Sequence, residues 1–140
     1  MSSELTTRME AIKASLAAFR PQRVVTRDAK DPSNHSREDR LKGIFTIVAL
    51  NEGDYTNAPG YLAQDGRQGF VILGDIDLVP NQAPSKIEDA EGLMLDDIKA
   101  WVRSTASSPT LCLVRLIRVI FSGQIASPSG WIVCELDYKP

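Results

Sequence analysis

The sequence predicts an α+β domain: a mainly antiparallel sheet of four to five strands with two long helices packed on one face. Three observations lead there. Segments 3–19 and 85–103 carry apolar residues at helical spacing. The run 67–79 alternates apolar and polar residues, as a half-buried strand does. The chain then closes on a hairpin-like pair, 111–121 and 131–138. With 140 residues, 43% hydrophobic and 24% charged, the composition fits one core, so residues 1–140 read as a single domain.

Leu5, Met9, Ile12, Leu16 and Phe19 fall on one narrow helical stripe, with Ser3 available as N-cap and Pro21 as the stop. Ala11, Ala14 and Ala18 lie on the far side. That small-residue face would let a neighbouring subunit approach closely, but alanine's being the best helix former is the better account of it. Residues 22–27 are short and β-branched and predict a first strand. The polar stretch 28–42, with Pro32, Ser33 and Asn34, predicts a loop holding one helical turn at 37–41. Residues 44–50 form a continuous apolar run of strand length.

A second polar stretch, 51–66, contains Gly53, Asn57, Pro59 and Gly60 together with Tyr55 and Tyr61. Both long loops are expected to be mobile in a free subunit and ordered in an assembly. In 67–79, Phe70, Ile72, Ile76 and Leu78 point one way while Asp75 and Asp77 point the other. Ser85 and Glu88 have the spacing of a capping box ahead of the second long helix, whose inward stripe is Ile87, Ala90, Met94, Ile98 and Trp101. Leu93 lies off that stripe and is either a lone surface leucine or a contact to another chain. Residues 111–121 predict a short helical piece and then a strand from about Leu116. After the turn Ser127-Pro128-Ser129-Gly130, the last strand puts Ile132, Cys134, Leu136 and Tyr138 on one face.

Little in this sequence points to chemistry. The single histidine, His35, lies in polar loop sequence, away from any recognisable nucleophile. Cys112 and Cys134 sit among apolar neighbours and read as buried free thiols. Gly66 and Gly69 lack the spacing of a nucleotide-binding loop. Asp75 and Asp77 share a strand face and could bind magnesium in a small metal-dependent enzyme; polar residues on the wet side of a strand account for them without a metal. The expectation is therefore no catalysis and no cofactor.

Arg37, Arg40 and Lys42 form the densest basic group, but Asp31, Glu38 and Asp39 offset it, and the net charge is −2. Tight nucleic-acid binding is disfavoured. No apolar stretch reaches bilayer-spanning length and the N-terminus lacks a signal-peptide pattern, so no membrane partner is expected. Candidate protein–protein contacts are Arg37, Arg40, Tyr55, Tyr61, Leu93 and Ala14, with the tyrosines as anchors.

The element order resembles the tail terminator proteins of long-tailed, lambda-type bacteriophages. The residues that carry the resemblance are the N-terminal amphipathic helix, the strand 44–50 with Asn51-Glu52-Gly53-Asp54-Tyr55 after it, and the strand 70–79. The helix through Met94 and Trp101 and the closing Ser122-Gly123 and Gly130-Trp131-Ile132-Val133-Cys134-Glu135-Leu136-Asp137-Tyr138 complete it. The resemblance implies a structural protein of the virion's tail–neck region, assembled in the host cytoplasm. It would form a homo-oligomeric, hexameric ring on the tail tube protein, stop tube growth and present a surface to head–tail connector proteins. DNA would pass through the ring without specific binding. The alternatives are a head-completion (stopper) protein of the head–tail connector and a monomeric regulatory binding module.

Overall fold

The structure, a computed structural model, describes residues 3–53, 66–109, 111 and 113–139. Its elements in chain order are α1 (Glu4–Phe19), β1 (Val24–Thr26), a 3-10 turn (Pro32–Asn34), α2 (Arg37–Lys42), β2 (Ile44–Gly53), β3 (Arg67–Asp77), α3 (Ser85–Thr105), β4 (Arg115–Phe121) and β5 (Ser129–Tyr138). The expected α+β class holds. The strands form one five-stranded sheet in the order β1-β2-β3-β5-β4. The β1–β2 pair is parallel and the other three pairs are antiparallel.

Local sequence explains most of these boundaries. Ser3 caps α1 by accepting the Thr6 N–H at 3.0 Å. At the other end of the helix, the Arg20 N–H closes on the Leu16 carbonyl. Ser36 caps α2 in the same way through the Asp39 N–H, and Gly43 ends it at φ 88°, a conformation open to glycine without strain. Period-two burial is clean in β3, where Phe70, Ile72 and Ile76 are buried, and in β5, where Ile132, Cys134, Leu136 and Tyr138 are.

These strand residues join Met9, Ile12 and Leu16 of α1, Phe45 and Ile47 of β2, and Met94, Ile98 and Trp101 of α3 in one hydrophobic cluster. Each fully buried aliphatic side chain contributes about 1.5–3 kcal/mol by leaving water. Trp101 also donates its indole N–H to Ser15 Oγ at 3.0 Å, which fastens α3 to α1. A second fastening is ionic: Asp97 accepts Arg20 at 2.7 Å and Arg23 at 2.9 Å, so the segment leaving α1 is held against α3.

The structure corrects several expectations. β1 is only Val24–Thr26, paired with Ile44–Thr46, while the side chains of the flanking Arg23 and Arg27 form ion pairs with Asp97 and Glu10. The polar stretch assigned to a loop from Asn51 begins as strand: β2 runs on to Gly53, with Asn51, Glu52 and Gly53 paired to Gly69, Gln68 and Arg67. The capping box does not form. Ser85 is already helical behind Pro84, the helix start has no side-chain cap, and Glu88 instead accepts Gln124 Nε2. Before β4 there is no helical piece among the described residues, but a turn in which the Val114 N–H meets the Leu111 carbonyl. Leu5 is 41% exposed although the rest of its stripe packs inward.

Cys134 is buried in the central cluster, and burial pushes its thiol up to about 12. A Cys112→Ser chain should therefore resist alkylation at pH near 8 and react only after denaturation; rapid labelling of the folded chain would contradict this packing. Cys112 itself lies outside the described residues.

Candidate interaction surface

An antiparallel pair that stays in register sends alternate side chains to alternate faces; one extra residue re-aims a side chain at that point. Two such β-bulges occur here. In β2 the register passes from Ala49↔Phe70 to Asn51↔Gly69, leaving Leu50 as the extra residue. In β4 it passes from Leu116↔Leu136 to Arg118↔Glu135, leaving Ile117 as the extra residue. Leu50 is 57% exposed and Ile117 55% exposed. Both line one open cavity of about 440 Å³ at the end of the sheet where β5 finishes, with Gly53, Gly69, Arg67, Arg115 and Asp137 among its walls.

The polar part of this cavity is organised around Asp137, which is only 8% exposed. Arg67 donates to its Oδ1 at 2.7 Å; Arg115 donates to Oδ1 at 2.8 Å and Oδ2 at 3.0 Å. Burial alone would raise the Asp137 carboxyl, but the hydrogen bonds and charges of Arg67 and Arg115 prevail and hold it below the ordinary aspartate value. Beside it, Arg118 forms a two-pronged pair with Glu135 at 2.8 and 2.9 Å. The Arg118 hydrogen bonds lower the Glu135 carboxyl. The cavity wall thus carries Arg67 and Arg115 together with Asp137 and Glu135.

The opposite end of β5 is built differently. The β4–β5 connection places Gly123 at φ 69° and Gln124 at φ 66°, then closes with the Ser129 N–H on the Ala126 carbonyl at 2.8 Å. Ile125 stands at its tip, 90% exposed. Under it lies a recess of about 160 Å³ lined by Glu88, Glu91, Phe121, Gly123 and Gln124. Glu91 is fully buried and accepts the Trp131 N–H at 2.9 Å. Gly130 permits that approach, because a Cβ there would sit 3.0 Å from the Glu91 carboxylate. Leu113 ahead of β4, Ile117, Ile120 and Phe121 in β4, Ile125 in the turn and Trp131 in β5 are all exposed.

The residues singled out from sequence lie elsewhere. Ala14 is exposed on α1, Arg37 is exposed on α2, and Leu93 is 61% exposed on α3. None of these three lines the cavity at Leu50 and Ile117. Arg40 is engaged with Asp77 at 3.2 Å. Tyr55 and Tyr61 lie outside the described residues. Asp75 faces Trp131 across the β3–β5 ladder, and its carboxyl is raised by burial and by Asp77, against the lowering effect of His35. Among the described residues no group of three or more His, Cys, Asp or Glu side chains is placed to hold a metal ion. No described helix is long and apolar enough to cross a membrane.

What sequence reasoning missed was Leu50, Ile117 and Ile125. A bulge leaves no residue-type signature in an apolar run, so the first two read as ordinary strand residues. Ile125 did carry a signal: it is a lone β-branched side chain between Gly123 and Pro128, in turn sequence that has no structural need for it. Compared with protein-family models and with curated proteins, the sequence matches none.

Proposed function

We propose that this chain is a phage structural protein that assembles into a ring on the end of the tail tube, ends tube polymerisation and offers the surface to which the head connector joins. The observation that carries the reading is the β4 edge of the sheet, beside which no further strand lies among the described residues and where Ile117, Ile120, Phe121 and the Ile125 turn are exposed. An edge strand with unpaired backbone groups and exposed apolar side chains is a contact surface that a monomer ordinarily blunts with charge, proline or a covering segment. In a ring that surface is covered by the neighbouring subunit.

The resemblance of the sequence to tail terminators, which rests on the order of its predicted elements, points the same way. A net charge of −2 suits a ring that lets DNA pass without gripping it. Tube rings stack until one presents a non-matching face, so a single ring of different surface chemistry suffices to stop growth.

In a phage encoding this chain, deleting it should give tails of irregular, excessive length that fail to join heads, scored by electron microscopy and plaque count. Normal-length infectious particles would sink the reading. Headless tails of normal length would move the protein to head completion.

A further inference from the structure

We propose that the recess under the β4–β5 turn is a binding site for an ammonium group, and that it takes the lysine side chain of a partner polypeptide between Glu88, Glu91 and Phe121. The site goes beyond the ring reading and does not depend on it.

Helical spacing builds the acidic side of the site. Glu88 and Glu91 stand three residues apart on α3, so they share one face of the helix, and both line the recess of about 160 Å³. Glu91 is fully buried. Its Oε2 accepts the Trp131 N–H at 2.9 Å, while its Oε1 is buried with no hydrogen-bond partner. One hydrogen bond is little for a carboxylate taken out of water, and a buried acceptor without a donor is destabilising. The Ser122 hydroxyl, in the chain between the lining residues Phe121 and Gly123, is a second buried group with no partner. Among the described residues no ion pair involves either glutamate; Lys86 on the same helix pairs with Asp89.

These features select the ligand. Two carboxylates with no cation between them favour positive charge. A divalent metal ion takes six or more oxygen ligands, and among the described residues no group of three or more His, Cys, Asp or Glu side chains is placed to hold one. An ammonium asks for less, since it brings three N–H donors and keeps its stem apolar. At the ~30 Å³ that a water takes in the liquid, 160 Å³ holds about five heavy atoms, which matches the four methylenes and the nitrogen of a lysine side chain. Phe121 gives the stem an apolar wall and the cation an aromatic ring. Without the ligand, the Gln124 amide donates to Glu88. A charged donor bonds that carboxylate more strongly and displaces the amide.

A lysine within a polypeptide fits better than a small free amine, because apolar surface adjoins the recess. Phe121 is 43% exposed and Ile125 90% exposed. Ile125 lies beside Gly123, where its Cδ1 would stand 4.0 Å from an added Cβ. Apolar residues flanking the lysine would cover these side chains, which a diamine leaves bare.

Titration of the isotope-labelled chain with Nα-acetyl-lysine methylamide, followed by amide NMR shifts, tests the site. The Trp131, Gly123 and Gln124 amides should move together, with a millimolar dissociation constant for so small a ligand. Nα-acetyl-norleucine methylamide, which keeps the stem and lacks the ammonium, should leave them in place. Glu91→Gln should weaken lysine binding about tenfold or more, and Glu88→Gln, at an exposed position, about threefold. The amide spectrum away from the recess reports whether each variant is folded; if Glu91→Gln is not, Glu88→Gln decides. The peptide acetyl-Leu-Lys-Leu-amide should bind more tightly than putrescine. Still amides, equal binding of norleucine, or lysine binding unchanged in the folded variants would overturn the proposal. So would putrescine binding at least as tightly as the peptide, which would make this a free-amine site, or magnesium chloride displacing the peptide, which would make it a metal site. None of these results touches the ring reading, which the phage deletion decides.

Discussion

Trp101→Ala should lower the unfolding free energy by about 3–5 kcal/mol, the range for removing a large aromatic from a packed core. Trp101 has no exposed surface and sits in the cluster that joins both long helices to the sheet. Its loss removes the apolar area, leaves a void that surrounding Met94 and Ile98 on the same helix cannot fill without moving, and frees Ser15 from its hydrogen bond. A domain of this size has about 5–15 kcal/mol in total, so the variant keeps little margin. The expected fall in melting temperature is about 10–15 °C. Trp101→Phe separates the causes: it keeps most of the volume and gives up the Ser15 bond, and should cost about 1–2 kcal/mol. Urea titration of the three proteins checks this; an alanine variant within 1 kcal/mol or so of wild type would mean that the cluster is not the main support of the fold.

The helical core was legible because its signal is periodic. Met9, Ile12 and Leu16 recur on one stripe and Ile87, Ala90, Met94, Ile98 and Trp101 on another, and all of them are buried. Alternation did the same for β3 and β5, where register is enforced by a buried face on which a one-residue slip would place charge. The boundaries were less legible where polar residues belong to strands. Asn51, Glu52 and Gly53 read as loop because they carry no apolar pattern, yet backbone pairing with Gly69, Gln68 and Arg67 extends β2 through them. Gln68 shows why: its buried amide donates to the Asn51 carbonyl at 3.0 Å, across a separation of 17 residues.

The capping box failed for a related reason. Ser85 and Glu88 have the right spacing, but Pro84 starts the helix one residue early and Gln124, from the far turn, takes the Glu88 carboxylate. Local propensity was overridden by a tertiary partner. The candidate surface was the least legible part. Arg67, Arg115 and Asp137 are separated by up to seventy positions, and only the closing of β5 between β3 and β4 brings them to one point.

That convergence gives a second large effect. Asp137→Asn should cost about 2–3 kcal/mol at neutral pH, less than a fully buried pair because Arg115 is largely exposed. Asparagine preserves the shape but accepts the Arg67 and Arg115 hydrogen bonds without charge, and two guanidinium groups then face each other across a neutral amide. The pH dependence isolates the charge. The folded-state carboxyl lies below its unfolded value, so its contribution is fully present above the unfolded aspartate pKa of about 3.9 and disappears as the pH falls through the folded value. Wild type should therefore be the more stable protein near neutrality, and the gap should close in strong acid, where Asp137 is protonated and the two side chains are both neutral. Urea unfolding of both proteins across the acid range measures the gap directly. A gap that persists unchanged at about pH 2 would mean that the carboxylate charge is not its source. The neighbouring Arg118–Glu135 pair offers the control, since it is exposed on the same rim and its removal should leave the acid profile of Asp137 in place.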